Sequence, residues 1–145
     1  MIFMIDKKIL SVFFIIFLMA VLNVHAEDDN IKLTVNNTTF DVELEDNSAT
    51  SELIKRLHEG NITINAKDYG NFEKVGDLGF SLPTSDENIE TSPGDIVLYQ
   101  SNQISLFYES HSWSYTKIGK IKNATAEELA DVLGSGDVEI VLSME

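Results

Sequence analysis

Two apolar segments near residue 30 alternate with polar side chains at the two-residue period of a half-buried strand. Residues 31–35 place Ile, Leu and Val at every second position, and residues 40–44 place Phe, Val and Leu in the same way. Asn36 and Asn37 lie between the two segments, and asparagine tolerates the left-handed backbone of a tight turn. The pattern therefore predicts an antiparallel hairpin.

Further short segments with strand character extend over the rest of the chain. They begin at Ile62 and continue at 78–82, 96–99, 104–108, 115–121 and 138–142. Between them, 68–72 and 109–114 are interpreted as loops, and 84–92 as an exposed acidic excursion. About eight short strands at close spacing, with turn signals between them, favour a barrel or a sandwich.

A first amphipathic helix is predicted after the hairpin. Asn47 and Ser48 are good N-cap residues. The apolar side chains within 53–57 follow at helical spacing, and Gly60 ends the segment. A glycine is common just past the C-terminus of a helix.

A second amphipathic helix is predicted near the end of the chain. Thr125 and Glu128 match a capping box, in which each side chain satisfies a backbone N–H of the first turn. The apolar stripe lies within 129–133, before Gly134. Together these signals predict the start and the end of a short helix.

Residues 1–26 have the features of a cleavable signal peptide. Lys7 and Lys8 precede a segment, 9–24, that is uncharged and rich in Ile, Phe and Leu. Short residues around Ala26 suit the peptidase, so we predict cleavage after it. A retained membrane anchor is the alternative, but 9–24 is shorter than the ~20 residues that a transmembrane helix needs. We therefore predict an exported protein, secreted or periplasmic.

The remainder of the chain, residues 27–145, has the length of a single domain. The sequence contains no cysteine. This excludes disulfides, thiolate metal sites and cysteine nucleophiles. The domain must therefore be stabilised by packing and hydrogen bonds alone.

The chain is acidic, with 10 Lys and Arg against 24 Asp and Glu and a formal net charge of −14 at pH 7. Phosphate binding depends on clustered basic side chains, so this charge repels nucleic acid and anionic membrane surfaces. We predict neither a nucleic-acid partner nor membrane association after cleavage. Solubility outside the cell is the favoured explanation, and attraction of a basic partner is the alternative.

Three stretches have the order and spacing of motifs in a known family. They are DYGNFEKVG at 68–76, PGDIVLY at 93–99 and WSYTKIGKI at 113–121. In these motifs the chain resembles the cyclophilin-like fold proteins, a bacterial family of small barrels distinct from the true cyclophilins. The resemblance covers essentially all of 27–145. It implies a mainly β protein, a closed cyclophilin-like β-barrel of about eight strands with a short helix at each end.

The resemblance implies little about activity. Some relatives occur beside or fused to flavodoxin-like domains, which hints at a redox partner. True cyclophilins use an arginine to hydrogen-bond the twisting amide, and a placed donor of this kind stabilises shifting charge. The sole arginine here, Arg56, lies on the polar face of the first helix, between Lys55 and Glu59. Peptidyl-prolyl isomerase activity therefore stays an alternative, and fold by itself does not carry function.

Two histidines occur in 27–145. His58 ends the first helix, where the helix dipole favours a cation, and it is interpreted as structural or solvated. His111 lies between Ser110 and Ser112 in a predicted loop, where functional residues gather. A Ser-His pair also needs a third, orienting group. We therefore favour a polar loop residue and predict no catalytic residue.

We predict neither a metal site nor a cofactor. Two histidines without cysteine are too few for a typical zinc site, and the Asp-x-Asp-x-Asp-Gly pattern of a calcium loop is missing. Asp86, Glu87 and Glu90 are interpreted as part of a solvated loop. The sequence also lacks the glycine motifs that hold phosphates or dinucleotides.

Six side chains on or beside two predicted loops are the candidate ligand-binding residues: Tyr69, Phe72, Tyr108, His111, Trp113 and Tyr115. Aromatic rings with a polar end suit binding sites. The favoured alternative is that Trp113 and Phe72 plug the barrel ends, because large aromatics dominate cores.

These observations favour an exported barrel that binds a small molecule or a peptide without catalysis. One rival is an enzyme, with residual isomerase activity or a redox role beside flavodoxin-like proteins. Another is a structural surface module whose acidic face is its working part. A protein partner, the oligomeric state and the identity of the ligand stay open.

Overall fold

The computed structural model describes residues 30–145, and the predicted signal peptide lies outside this range. The described part is mainly β. Its strands are β1 (Ile31–Val35), β2 (Thr38–Leu44), β3 (Ile62–Tyr69), β4 (Glu73–Asp77), β5 (Glu87–Glu90), β6 (Asp95–Tyr99), β7 (Gln103–Phe107), β8 (Ser112–Ile121) and β9 (Val138–Met144). Its helices are α1 (Ser48–Glu59) and α2 (Ala126–Leu133).

Eight of the strands form a closed antiparallel barrel. The order around it is β2-β1-β9-β3-β4-β7-β6-β8, and a further pairing of β8 with β2 closes the circle. The ninth strand, β5, pairs only with the first half of β8 and stands outside the barrel. The predicted closed barrel of about eight strands with two short helices is confirmed.

The hairpin of β1 and β2 forms as the sequence predicts. Ile31 pairs with Val42, and the register continues to the turn. Asn36 and Asn37 have φ angles of 49° and 65°, in the left-handed region that asparagine tolerates better than most residues. The alternating apolar side chains of both strands are buried in the barrel.

Each helix packs over one end of the barrel. The Asn47 side chain caps α1 by accepting from the Thr50 N–H, and its amide donates to the Lys117 carbonyl at 2.7 Å. At the opposite end, beside the β1–β2 turn, Asn36 donates to the Val132 carbonyl of α2 at 2.7 Å. Thr125 caps α2 by accepting from the Glu128 N–H. Both helices bury leucines in the same core cluster as the strands.

The prediction of a strand at 78–82 is wrong. Instead, β4 lies just before this segment, where no strand was predicted. Leu78 and Leu82 are buried, but their N–H groups donate to carbonyls of the loop at 101–102 rather than to a strand. In β4, a Cβ at Gly76 would lie 2.5 Å from the Asn65 carbonyl. Glycine therefore permits a close approach of β3 and β4 that the periodicity does not reveal.

The loops predicted at 84–92 and 109–114 both contain strand residues. Glu87 pairs with Tyr115, and Ile89 pairs with Trp113. The first half of β8 carries backbone groups beyond the barrel that need partners, and β5 supplies them. The acidic side chains Glu87 and Glu90 are nevertheless exposed.

No helix within 30–145 has the length and apolar character to cross a membrane.

Candidate functional site

A second apolar cluster lies on the outer face of the barrel. Val97 stands between two core residues of β6, and Phe107 follows a core residue of β7. Neighbouring residues of a strand point to opposite faces, so both side chains point out of the barrel. They are nevertheless buried, together with Tyr115 of β8. Apolar surface on the outside of a barrel marks a candidate binding site.

A groove of about 810 Å³ opens over this cluster, between the β3–β4 turn and the first half of β8. This volume lies within the range of small-molecule sites. Two other surface grooves of the described chain measure only about 370 and 360 Å³. The groove is lined by Tyr69, Gly70, Phe72, Glu73, Val75, Tyr99, Gln103, His111, Trp113 and Tyr115.

Phe72 is held between two other rings. Its centroid lies 4.0 Å from that of His111, with nearly parallel planes, and 6.2 Å from that of Phe107. Gly70 has a φ of 63°, and a Cβ there would lie 2.3 Å from the Phe72 ring. The tight turn thus requires glycine both for its backbone and for the position of the ring. This wall of the groove is fixed by packing.

Two large aromatic side chains stand exposed at the groove. Tyr69 is 62% exposed and Trp113 is 57% exposed. Tyr69 contacts Phe72 edge to face at a centroid distance of 5.8 Å. Trp113 belongs to the part of β8 that pairs with β5. Trp113 and Phe72 therefore do not plug the barrel ends, which are covered by the helices.

The deeper part of the groove contains Tyr115 and Tyr99. Tyr115 is 4% exposed and packs edge to face with Phe107 at 5.5 Å and with Tyr99 at 6.0 Å. Burial, followed by the negative charge of Glu73, raises the pKa of Tyr115 to about 12. The phenol is therefore a neutral hydrogen-bonding group at physiological pH.

Glu73 is the buried carboxyl group of the groove. It is 7% exposed, and within residues 30–145 neither its Oε2 atom nor the neighbouring Ser105 hydroxyl has a hydrogen-bond partner. Burial raises the pKa of Glu73 above its usual value. The Ser105 hydroxyl opposes this shift without meeting hydrogen-bond geometry, and the charge of Asp68 adds to it. A buried polar atom without a partner is unusual in a folded protein and calls for an explanation.

Tyr108, the sixth candidate from the sequence, lies away from the groove. It packs against the barrel core, and its hydroxyl donates to Asp68. Burial and this carboxylate raise the pKa of Tyr108 to about 12. Asp68 also pairs with Lys74 at 3.1 Å. Tyr108 is thus part of a polar network inside the barrel, whereas the other five candidates line the groove.

His111 is fixed through its backbone. Its N–H donates to the Thr91 hydroxyl at 3.1 Å, and its carbonyl accepts from the Thr91 N–H at 2.8 Å. Within the described part of the chain, its imidazole makes no hydrogen bond to Ser110 or Ser112. The stacked imidazole is therefore a wall of the groove and lacks the geometry of a nucleophile–base pair.

Five lining residues were not among the candidates from the sequence: Gly70, Glu73, Val75, Tyr99 and Gln103. Glu73 and Val75 are two residues apart in β4 and therefore share one face of the strand. An acidic residue at such a position is typical of the solvent face of a strand, whereas Glu73 is buried in the groove. Arg56 is not at the groove, because its guanidinium lies 4.3 Å from the Phe80 ring centroid and pairs with Glu52.

Residues 33–143 match the model of a family described as the cyclophilin-like family. The match covers most of the chain, so the chain belongs to that family. No curated protein and no solved structure gives a significant match. In 30–145, metal-ligating side chains nowhere form a group of three or more.

Proposed function

We propose that this member of the cyclophilin-like family is an exported domain that binds a small ligand or a peptide segment in the aromatic groove, without catalysis. The observation that carries the proposal is the groove itself. Two large aromatics, Tyr69 and Trp113, stand exposed beside a deep, partly apolar cleft. Exposed aromatic surface of this kind is stabilised by burial against a ligand.

The groove is arranged before any ligand enters. Phe72 is held between His111 and Phe107, and the Thr91 contacts fix the segment that carries His111. A preformed site loses little conformational entropy on binding, so more of its contact energy becomes affinity. The preformed arrangement therefore supports specific ligand binding rather than non-specific adsorption to an apolar surface.

The absence of catalysis is proposed from the chemistry of the lining residues. The Arg56 guanidinium is engaged with Glu52 and Phe80 on α1 and does not reach the groove. His111 has no orienting carboxylate in the described structure. The groove therefore lacks the arginine donor with which true cyclophilins stabilise the twisting amide. Residual prolyl isomerisation, or a redox role beside flavodoxin-like proteins, remains the rival hypothesis.

Export is proposed from the sequence of residues 1–26, in which two lysines precede an uncharged apolar segment and short residues surround Ala26. N-terminal sequencing of the protein secreted by its host would test it. Export predicts a mature chain that begins at Glu27. A chain found in the cytoplasm with Met1 intact would contradict it.

The sequence contains one tryptophan, Trp113, so its fluorescence reports directly on the groove. We expect a ligand from a panel of proline peptides, flavins and metabolites to change this signal, and to raise the melting temperature in a parallel thermal-shift experiment. At 100 times its dissociation constant, a ligand adds about 2.7 kcal/mol. Both effects require a folded protein.

The matched variants separate the groove from the rest of the barrel. Tyr69→Ala should weaken ligand binding, because it removes exposed contact surface, whereas Tyr108→Phe should leave binding unchanged. Loss of binding in Tyr108→Phe alone would contradict the proposed location. Acceleration of prolyl isomerisation that Trp113→Ala abolishes would favour the enzymatic rival.

A further inference from the structure

The Glu73 carboxyl lies deep in the aromatic groove, without a positive partner. The residue is 93% buried, being 7% exposed, and its Oε2 atom has no hydrogen-bond partner in the part of the chain that the structure describes. Lys74 follows it in β4, but neighbouring residues of a strand point to opposite faces. The Lys74 amine contacts Asp68 and two carbonyls beyond α2 instead. A buried carboxylate without a partner is costly, and this one persists at the floor of a cleft.

The other residues of the groove suit a positive charge. No lysine or arginine lines it, and its titratable groups besides Glu73 are three tyrosines and His111. Aromatic rings attract cations through their negative faces, and desolvation strengthens this attraction. Tyr69, Trp113 and Tyr99 provide such rings beside the carboxyl group.

We infer that the groove recognises an organic cation, an alkylammonium or guanidinium group that enters between the aromatic rings and pairs with Glu73. The inference rests on the proposed function, because it names the chemistry of the ligand that the groove would bind. The cation could belong to a free amine or to a Lys or Arg side chain of a peptide. In either form, its charge and donors would satisfy the Oε2 atom that the free protein leaves without a partner.

An organic cation fits this groove better than a metal ion. Calcium takes six to eight oxygen ligands, whereas Glu73 is the one carboxylate among the lining residues. The rings offer broad apolar contact, which an alkyl chain beside an ammonium group can use. The acidic chain, with a net charge of −14, also attracts cations at long range.

Substitution of Glu73 should change stability and cation affinity in opposite directions. Glu73→Gln keeps the shape of the side chain and removes a charge that burial disfavours. The variant should therefore melt at a higher temperature than the wild type in the absence of ligand. It should bind cations more weakly, because the pairing partner is lost. A merely structural carboxylate would not separate the two readouts in this way.

The test uses Trp113 fluorescence of the purified protein with four probes. These are n-butylammonium, its neutral analogue n-butanol, a blocked tetrapeptide that contains lysine, and the same peptide with norleucine in place of lysine. We expect each cationic probe to bind at least tenfold more tightly than its neutral analogue. Stronger binding of the lysine peptide than of n-butylammonium would identify a peptide as the source of the cation, and equal binding would identify a free amine.

Glu73→Gln should reduce the affinity for the cationic probes at least tenfold. The control Glu87→Gln removes an exposed carboxylate on β5, outside the groove lining, and should change affinity less than twofold. If neutral probes bind as well as cationic ones and Glu73→Gln has no effect, the inference is overturned while ligand binding in the groove stands. If no probe of either kind binds the folded protein, the inference is overturned, and the proposed function fails only if the panel of proline peptides, flavins and metabolites gives no binding either.

Discussion

The substitution Lys74→Met tests whether a buried lysine holds the α2 end of the barrel together. The Lys74 side chain is 0% exposed. Its amine donates to the carbonyls of Gly134 and Gly136 at 2.9 and 2.6 Å and pairs with Asp68 at 3.1 Å. These contacts join β4 to β3 and to the loop that follows α2. Methionine fills a similar volume but makes none of them.

The magnitude follows from what each partner loses. Hydrogen bonds to a charged group contribute about 1.5–3 kcal/mol each. Gly134 and Gly136 are exposed, so their carbonyls can turn to water and recover part of this loss. In Lys74→Met, Asp68 keeps its hydrogen bond from the Tyr108 hydroxyl but loses its ion pair with the Lys74 amine. Breaking a buried ion pair on one side costs about 3–5 kcal/mol, and we expect the lower end, about 3 kcal/mol.

The assay is urea denaturation together with thermal melting at neutral pH. At about 4 °C per kcal/mol for a domain of this size, the melting temperature should fall by about 12 °C. Lys67→Met, at an exposed position of β3, is the matched control and should change stability by less than about 0.5 kcal/mol. High salt should reduce the difference only slightly, because the buried pair is poorly screened.

A double-mutant cycle with Asp68→Asn isolates the ion pair. If the pairing of Lys74 with Asp68 contributes, Asp68→Asn should destabilise the wild type more than it destabilises Lys74→Met. The reasoning is refuted if Lys74→Met lies within about 1 kcal/mol of the wild type while Lys67→Met behaves in the same way. Equal effects of Asp68→Asn in both backgrounds would assign the loss to the two glycine carbonyls instead.

Further predictions concern the groove and the response to pH. Gly70→Ala should destabilise the domain by about 1–3 kcal/mol in urea denaturation, because φ is 63° and the new Cβ would meet the Phe72 ring. Trp113→Ala should change stability by less than about 1 kcal/mol in the same assay, because the side chain is 57% exposed. Burial raises the pKa of Glu73, the Ser105 hydroxyl opposes this shift and the charge of Asp68 adds to it, so the charge of Glu73 destabilises the fold above that pKa. The stabilisation gained in Glu73→Gln should therefore be full above the raised pKa and vanish below about pH 4, where the group is protonated in the unfolded chain too. The pKa of Asp68 is lowered: burial opposes the shift, but the Tyr108 hydroxyl and Lys74 outweigh it. The stabilisation that ionised Asp68 provides should be present above about pH 4 and be lost as the pH falls through its pKa in the folded protein. Asp68→Asn should lack this loss of stability in acid, and unfolding curves of the variant that show the same loss would contradict the prediction.

Local pattern was enough for much of the fold. The hairpin of β1 and β2, both helices and their cap residues follow from periodicity and capping within short segments. Such signals work because the free energy of these elements depends on neighbours within a few residues. Five of the six candidate site residues line one groove, since the β3–β4 turn and the start of β8 come together where Phe72 stacks on His111.

Tertiary structure decided the elements and groups whose partners lie far along the chain. In β4, Glu73 and Lys74 are adjacent polar residues on opposite faces, and both are buried. The sequence of β4 therefore has no alternation of apolar and polar residues from which a strand could be predicted. The same limit applies to β5, whose polar residues pair with β8 because an extended strand edge there needs hydrogen-bond partners.

The sequence by itself determined a mainly β protein with two capped helices and an acidic, cysteine-free composition, and its resemblance to the cyclophilin-like fold proteins implied the closed barrel. Only the tertiary structure decided that the Lys74 amine contacts two carbonyls and Asp68, that Tyr108 belongs to this network, and that Glu73, unpaired among the described residues, lies in a groove lined by aromatic rings. The physical reason is that burial of a polar side chain depends on what other strands and loops place over it. The residue type and its neighbours in sequence do not carry that information.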